Sequence, residues 1–425
     1  MASIKGVGRR TVLKGMAAAG AVGAASWGGF APAIAASKPV KIGLVAPKTG
    51  QLAIFYKEVP FVLEQIKKHI GGQAMIGGRK RAYEFVIKDS QSNPNRASQV
   101  AQDLIFNDQV DLMTTFATPE TVNPVSDQCE ANGMPCVATD CPLESYYNGR
   151  GAPKNGFEWT YCFFFSLHEQ APASIDEWDK IDTNKVVGAL WPNDDDGHAY
   201  AGTYPKFLKE KGYKIVDPGR FDMPSNYNAQ IAAFKAANVE LISAVLPPPE
   251  FITFWNAAAQ QGFKPKVAWV GKATEFPPAV TPLGKRAENL SIEIWWTPAS
   301  PYVSGLTGIS SKDLAASYEK ASGEQWSMTL GIRHALFEAA FETLKTAKDL
   351  SHEAVRDAIK TMQYKSIAGP IDFRKGGPFP NTAETPLAIG QWRKGTKYPL
   401  ELLVVDNTAA PDIKIQSKPQ PINWD

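Results

Sequence analysis

Three consecutive acids, Asp194, Asp195 and Asp196, stand directly before Gly197, and the chemistry they first suggest is calcium binding. The register argues against it. With Gly197 at the sixth position of a calcium loop, Pro192 falls at the first and Thr203 at the twelfth, where oxygen ligands are required. Two readings remain: acids favoured by the positive end of a helix, or Asp194 and Asp196 pairing with a cationic group on a ligand. A second cluster is Thr118-Pro119-Glu120-Thr121, whose proline suits a first helical turn and whose threonines can cap the helix or offer a hydroxyl to a ligand. Asp140, within Thr139-Asp140-Cys141-Pro142, can accept from an amine or hydroxyl, or merely end a strand. Lys272, in Gly271-Lys272-Ala273-Thr274-Glu275, can bind a carboxylate or lie solvated at the surface.

Metal and nucleophile chemistry find less support. The five histidines, His69, His168, His198, His334 and His352, are dispersed, and no CxxC pair exists, so no zinc site is expected and no metal is assigned. The sequence has no GxSxG, no GxxxxGK[ST], no HExxH and no GxGxxG after a strand, so it reads as a protein without catalytic function or cofactor. Cys129, Cys136, Cys141 and Cys162 are an even set. If the chain is exported they suggest disulfides, with the short spacings favouring Cys129–Cys136 and Cys141–Cys162 among three connectivities.

Export is itself an expectation. Residues 1–35 combine Lys5, Arg9, Arg10 and Lys14 with a mild apolar stretch and the small-x-small end Ala33-Ile34-Ala35. Gly8-Arg9-Arg10-Thr11-Val12-Leu13-Lys14 fits a twin-arginine signal. Its removal takes four of 45 Lys+Arg and none of 43 Asp+Glu, leaving 41 against 43, a net charge near −2. That balance gives no reason to bind nucleic acid or an anionic membrane. No later stretch approaches the ~18 apolar residues of a membrane span.

The elements that must position these clusters alternate. Apolar, β-branched runs at 40–45, 83–88, 110–116 and 135–139 read as strands, separated by helical patterns. The alternation restarts near 185, with strands at 185–191, 213–216, 240–246, 267–270 and 291–296 and helices at 197–211, 227–237 and 250–261. Repeated strand and helix implies parallel pairing with right-handed crossovers. About 390 residues (425 less 35) exceed a usual single core, so the expected class is α/β with two doubly wound, parallel-sheet lobes. Helices at 311–321, 330–347 and 352–362 follow, then short strands at 369–373, 388–392 and 400–405, and a tail from 409 expected to wander over the surface. Aromatic residues Phe163, Phe164, Phe165, Trp191, Trp295 and Trp296 gather at strand ends. Most should pack in cores, but alternation lets one of Trp295 and Trp296 face a ligand.

Four segments in order, Val40-Lys41-Ile42-Gly43-Leu44-Val45-Ala46-Pro47-Lys48-Thr49-Gly50, Lys88-Asp89-Ser90-Gln91-Ser92-Asn93-Pro94, Asn123-Pro124-Val125-Ser126-Asp127 through Gly133-Met134-Pro135, and Gly369-Pro370-Ile371-Asp372-Phe373, resemble the leucine/isoleucine/valine-binding family of bacterial periplasmic proteins. The resemblance implies a type I periplasmic-binding fold with a three-strand hinge near 165, 297 and 368. The lobes would be 36–165 with 297–368, and 166–296 with 369–408. It implies capture of a small carboxylate-bearing solute, an amino acid or an aromatic or hydrophobic acid, in the inter-lobe cleft of a periplasmic monomer, and delivery to an ABC permease. A sensor that presents ligand to a receptor or regulator is the alternative. Ligand contacts are then expected from Thr118, Pro119, Thr121, Thr139, Asp140, Cys141, Trp191, Asp194, Asp196, Pro248, Lys272 and Trp296. The family's serine-rich ligand loop is replaced here by Ala117-Thr118-Pro119-Glu120-Thr121, which speaks against simple leucine binding.

Overall fold

The computed structural model describes residues 38–223 and 226–424; the expected signal segment, 1–35, lies outside them. The first stretch runs β1 (Val40–Ala46), α1 (Val59–Ile70), β2 (Gln73–Ile76), β3 (Arg79–Asp89), α2 (Pro94–Gln102), β4 (Leu112–Thr115), α3 (Pro119–Ala131), β5 (Cys136–Thr139), α4 (Leu143–Gly149) and β6 (Thr160–Phe164). The second runs α5 (Leu167–Trp178), β7 (Val186–Leu190), α6 (Asp195–Glu210), β8 (Lys214–Val216), α7 (Asn228–Ala236), β9 (Leu241–Leu246), α8 (Pro248–Gln260), β10 (Val267–Lys272), α9 (Pro277–Val280) and β11 (Ser291–Ile294). Then come α10 (Ser311–Ser322), α11 (Thr329–Thr346), α12 (His352–Lys360), β12 (Gln363–Ser366), β13 (Gly369–Asp372), β14 (Thr382–Glu384), β15 (Ala388–Lys394) and β16 (Leu400–Asp406).

Two seven-stranded sheets result, ordered β14-β6-β5-β4-β1-β3-β2 and β16-β15-β11-β10-β9-β7-β8. Pairing is parallel except where β2, β15 and β16 join antiparallel. The central strands, such as β9 and β10, are buried along their whole length, as sheets covered by helices on both faces require. Helix α11 is buried all round. Its charged residues are accommodated by partners: the Glu338 carboxylate accepts from the Gly305 and Ile367 amides and the Tyr364 hydroxyl, and contacts His334 Nδ1 at 2.8 Å.

The chain changes lobe between β6 and α5, between β11 and α10, and between β14 and β15. The third crossover lies after Glu384 rather than near 368, because β14 pairs in parallel with β6 and keeps 369–384 on the first lobe. The tail departs from expectation too. Trp424 packs on Trp255 at 4.9 Å and donates to the Pro265 carbonyl, while Ile413 and Ile422 are buried, so residues 409–424 are pinned to the second lobe. No disulfide forms: Cys129, Cys136, Cys141 and Cys162 are buried free thiols, which corrects the expected pairings. Cys141 lies beyond the end of β5 with its thiol directed at the Pro142 carbonyl, while the Cys162 thiol is directed at the Cys141 carbonyl. Among the described residues no helix is long and apolar enough to cross a membrane.

Candidate functional site: the inter-lobe cleft

The ends of the parallel strands in both sheets face one another, the place where doubly wound folds bind ligands. From the first lobe come Phe55, Thr118, Asp140, Pro142, Phe164 and Phe165; from the second, Asp196, Tyr200, Val245, Lys272, Glu275 and Glu293. The space they enclose is about 20 Å³, room for roughly one water molecule, so the lobes are closed on each other.

Backbone conformation aims several of these side chains. Ala117 and Thr118 after β4, Asp140 after β5 and Lys272 at the end of β10 all have positive φ, at 77°, 66°, 59° and 60°. Residues with a Cβ rarely adopt this region, and such strain persists where surrounding structure enforces it, often at functional sites. The Thr118 amide donates to the Asp140 carbonyl at 2.8 Å, which locks two of these turns together.

The electrostatics are dominated by acids around two cations. Lys272 Nζ lies 2.6 Å from Asp196, 3.3 Å from Glu120 and 3.7 Å from Asp194. Burial alone would lower its pKa, but these carboxylates hold it well above the usual lysine value. Asp140 is ion-paired with Arg333, which is fully buried on α11 and lies over the Phe116 ring at 3.8 Å. Burial nonetheless pushes the Asp140 carboxyl up, against the pull of Arg333. Asp196 is raised to about 7, again chiefly by burial. Several bonds cross between the lobes: Ser145 Oγ donates to Asp196 at 2.5 Å and Asn123 Nδ2 donates to Asp195 at 2.8 Å, alongside the Lys272–Glu120 pair.

The residues singled out in the sequence divide by place. Thr118, Asp140, Asp196 and Lys272 line the cavity. Lys272 is buried and paired, so the reading of it as a solvated lysine does not apply. Asp194 caps α6 through the Gly197 amide at 2.7 Å and leans toward Lys272. Pro119 opens α3, and Thr118 makes no side-chain cap there. The Thr121 hydroxyl is buried and without a partner on the first turn of α3. Outside the lining, Thr139 donates to the Phe163 carbonyl at 2.7 Å, Pro248 starts α8, and Cys141 is buried beside Pro142. Trp191 packs against the stacked pair Tyr200 and Tyr204 with its Nε1 on Ser243, and Trp296 is held by Ser311 and Trp326 at the second crossover. Neither tryptophan reaches the cavity. Trp295, its neighbour, packs edge-on against Phe164 at 4.8 Å.

Sequence reasoning missed Glu275, Glu293 and Arg333 as site residues. A signal existed for the latter two. Glu293 interrupts an apolar strand and Arg333 an apolar helix, and a charge in such a place needs a partner or a purpose.

A closed cleft between two parallel-sheet lobes, walled by strand ends and charged on both sides, has the architecture of a small-solute binding site. The sequence model of the family described as periplasmic binding protein matches residues 39–397, and the chain belongs to that family, one of solute-binding proteins and not of enzymes. Solved structures agree in fold. A leucine-binding protein from Thermotoga maritima is similar at 17% identity and a TM-score of 0.70, covering 87% of this chain and 99% of its own. A solute-binding protein of an ABC transporter from Rhodopseudomonas palustris, in complex with 3,4-dihydroxybenzoic acid, is similar at 18% identity and a TM-score of 0.69, covering 88% and 99%. A fatty-acid ABC-transporter substrate-binding protein from Thermomonospora curvata is similar at 15% identity and a TM-score of 0.67, covering 89% and 95%.

Proposed function

We propose that this chain is the exported, periplasmic solute-binding component of an ABC importer, which closes on a small carboxylate-bearing solute and delivers it to a membrane permease. The observation that carries the reading is the convergence of Thr118, Asp140 and Lys272, from strand ends of both lobes, on one enclosed cavity. A solute carboxylate would lie at the start of α3. Free N–H groups of a first helical turn favour an anion there, and the Thr118 hydroxyl has no hydrogen-bond partner. Relatives of this fold are described as binding leucine and 3,4-dihydroxybenzoic acid, which makes amino acids and aromatic acids the first solutes to try.

Thermal unfolding of the protein with a panel of amino acids, aromatic acids and short amides tests this. A ligand of the folded form at a hundredfold excess over its Kd stabilises it by about 2.7 kcal/mol, a rise of several degrees in Tm. A panel with no such rise and no heat of binding by calorimetry would refute the binding role.

A further inference from the structure

Beside the edge of the first lobe's sheet lies a groove of about 650 Å³ that shares no residue with the cleft. Its floor is one stripe of α11, Glu338, Phe341, Glu342 and Lys345, at the three- and four-residue spacing of a single helix face. One wall is the turn from α1 into β2 together with β2 itself; the other is Gly305, Leu306 and Tyr364.

Strand β2 is the last of its sheet and pairs with β3 alone. The turn between them is two residues, Gly77 and Gly78, both at positive φ, 55° and 72°. Such a turn makes Ile76 and Arg79 a hydrogen-bonded pair, and bonding alternates along an antiparallel ladder. The backbone N–H and C=O of Gln73 and Met75 are thereby turned away from β3. Among the described residues only Gly77, at the turn itself, has a backbone bond on that side, to the Leu344 carbonyl at 3.0 Å. The Met75 side chain is 45% exposed, an apolar group left open at the lip of the groove.

The charge of the groove is one-sided. Its acids are already answered: Glu338 by His334, Tyr364 and two amides, and Glu342 by Lys345 at 2.9 Å. Lys80, the cross-strand partner of Met75, lines the groove without an ion pair among the described residues. The same holds for Arg79 and Arg81 beside it, and for Lys67 and His69 in the last turn of α1.

An unpaired sheet edge is a template for another strand, and an apolar groove alongside gives that strand's side chains a place to lie. We propose that this groove docks an extended, acidic segment of a partner protein, which adds to β2 as a further strand and sets its carboxylates against Lys80 and the neighbouring bases. A second copy of this chain fits less well, because pairing β2 with β2 would bring Arg79, Lys80 and Arg81 against the same bases. A flat anionic membrane would meet the bases but could not enter a slot floored by α11. The surface is separate from the cleft, so the proposal stands or falls apart from the solute.

The probe is a blocked, fluorescently labelled heptapeptide of alternating glutamate and valine, titrated with the full mature protein by anisotropy. Two controls match it: the same peptide with lysine for glutamate, and the acidic peptide with alternate amides N-methylated so that one of its edges cannot bond. The acidic peptide should saturate and bind at least tenfold more tightly than either control. Lys80→Glu, at an exposed position, and Met75→Pro, which removes an N–H that β3 does not use, should each weaken it at least tenfold, with thermal unfolding confirming that both variants fold. Should Met75→Pro not fold, the N-methylated peptide answers the same question. Equal binding of the three peptides, or binding that survives either substitution, would overturn the proposal. So would a dimer in sedimentation that Met75→Pro dissolves, or capture by phosphatidylglycerol vesicles, lost in Lys80→Glu, with no binding of the peptide.

Discussion

Glu177, on α5, shows how far burial alone can move a residue in this protein. Its carboxylate accepts from Ser291 Oγ at 2.7 Å and Gln391 Nε2 at 2.9 Å, inside the second lobe. Burial, the largest cause, raises its pKa to about 8, with Asp406 adding and Arg393 and Lys180 opposing. The sign follows. Between its ordinary value, 4.5, and about 8 the unfolded chain gives up this proton while the folded chain keeps it, so its contribution to stability falls as pH rises through that window. Glu177→Gln cannot ionise. Its Tm should decline less between pH 5 and pH 8 than that of the native protein, with a difference on the order of 2 kcal/mol at the upper end. Parallel curves would show that Glu177 does not titrate there. The same reasoning applies to the cleft, where Asp196, Glu275 and Glu293 are raised by burial but Lys272 and Arg333 are at hand to compensate.

At the scale of elements, the entry to α6 does the positioning. Asp194 caps the helix, Asp195 reaches Asn123 and Asp196 reaches Lys272 and Ser145, all within one turn. That turn closes tightly because Gly197 has no side chain. A Cβ there would fall well inside contact distance of the Pro192 carbonyl oxygen, a backbone atom that cannot step aside. Gly197→Ala should therefore displace the start of α6, cost about 1–3 kcal/mol in urea unfolding, and weaken solute binding through Asp196. Unchanged stability would mean that the turn relaxes freely. The three acids that first suggest calcium are thus a helix entrance whose members do different jobs: one caps and two bridge the lobes.

At the scale of the whole molecule, a small set of polar contacts at the entry to α6 and the end of β10 links the two lobes across the cleft. Asn123–Asp195, Ser145–Asp196 and Glu120–Lys272 each take one partner from each lobe. Individually such bonds contribute about 0.5–1.5 kcal/mol, and charge-assisted ones more. That is enough for their loss to move a two-state equilibrium several-fold. Removing two of them in Asn123→Ala/Ser145→Ala should open the unliganded protein, seen as a larger radius of gyration by small-angle scattering, and a bound solute should restore the compact form. An unaltered scattering curve would place the closing energy elsewhere, in apolar contacts between the lobes such as Phe55 with Phe276.

Hydrophobic periodicity by itself determined the fold class of this protein, two parallel-sheet α/β lobes. Eleven of the fourteen strands in the two sheets are legible in local runs such as Leu241–Leu246 and Val267–Lys272, because a strand covered on both faces must be apolar throughout; β2, β6 and β14 were not read from the sequence. Local chemistry likewise marked the strand-end loops holding Thr118, Asp140, Asp196 and Lys272. Three matters were decided only in three dimensions. β14 lies on the first lobe because its partner, β6, is more than two hundred residues away in the chain. The tail is fastened by Trp255, on a helix far upstream. Glu275, Glu293 and Arg333 become site residues only when separate elements are folded against one another. A charge's meaning depends on which opposite charge it meets, and that pairing is a property of space rather than of sequence order.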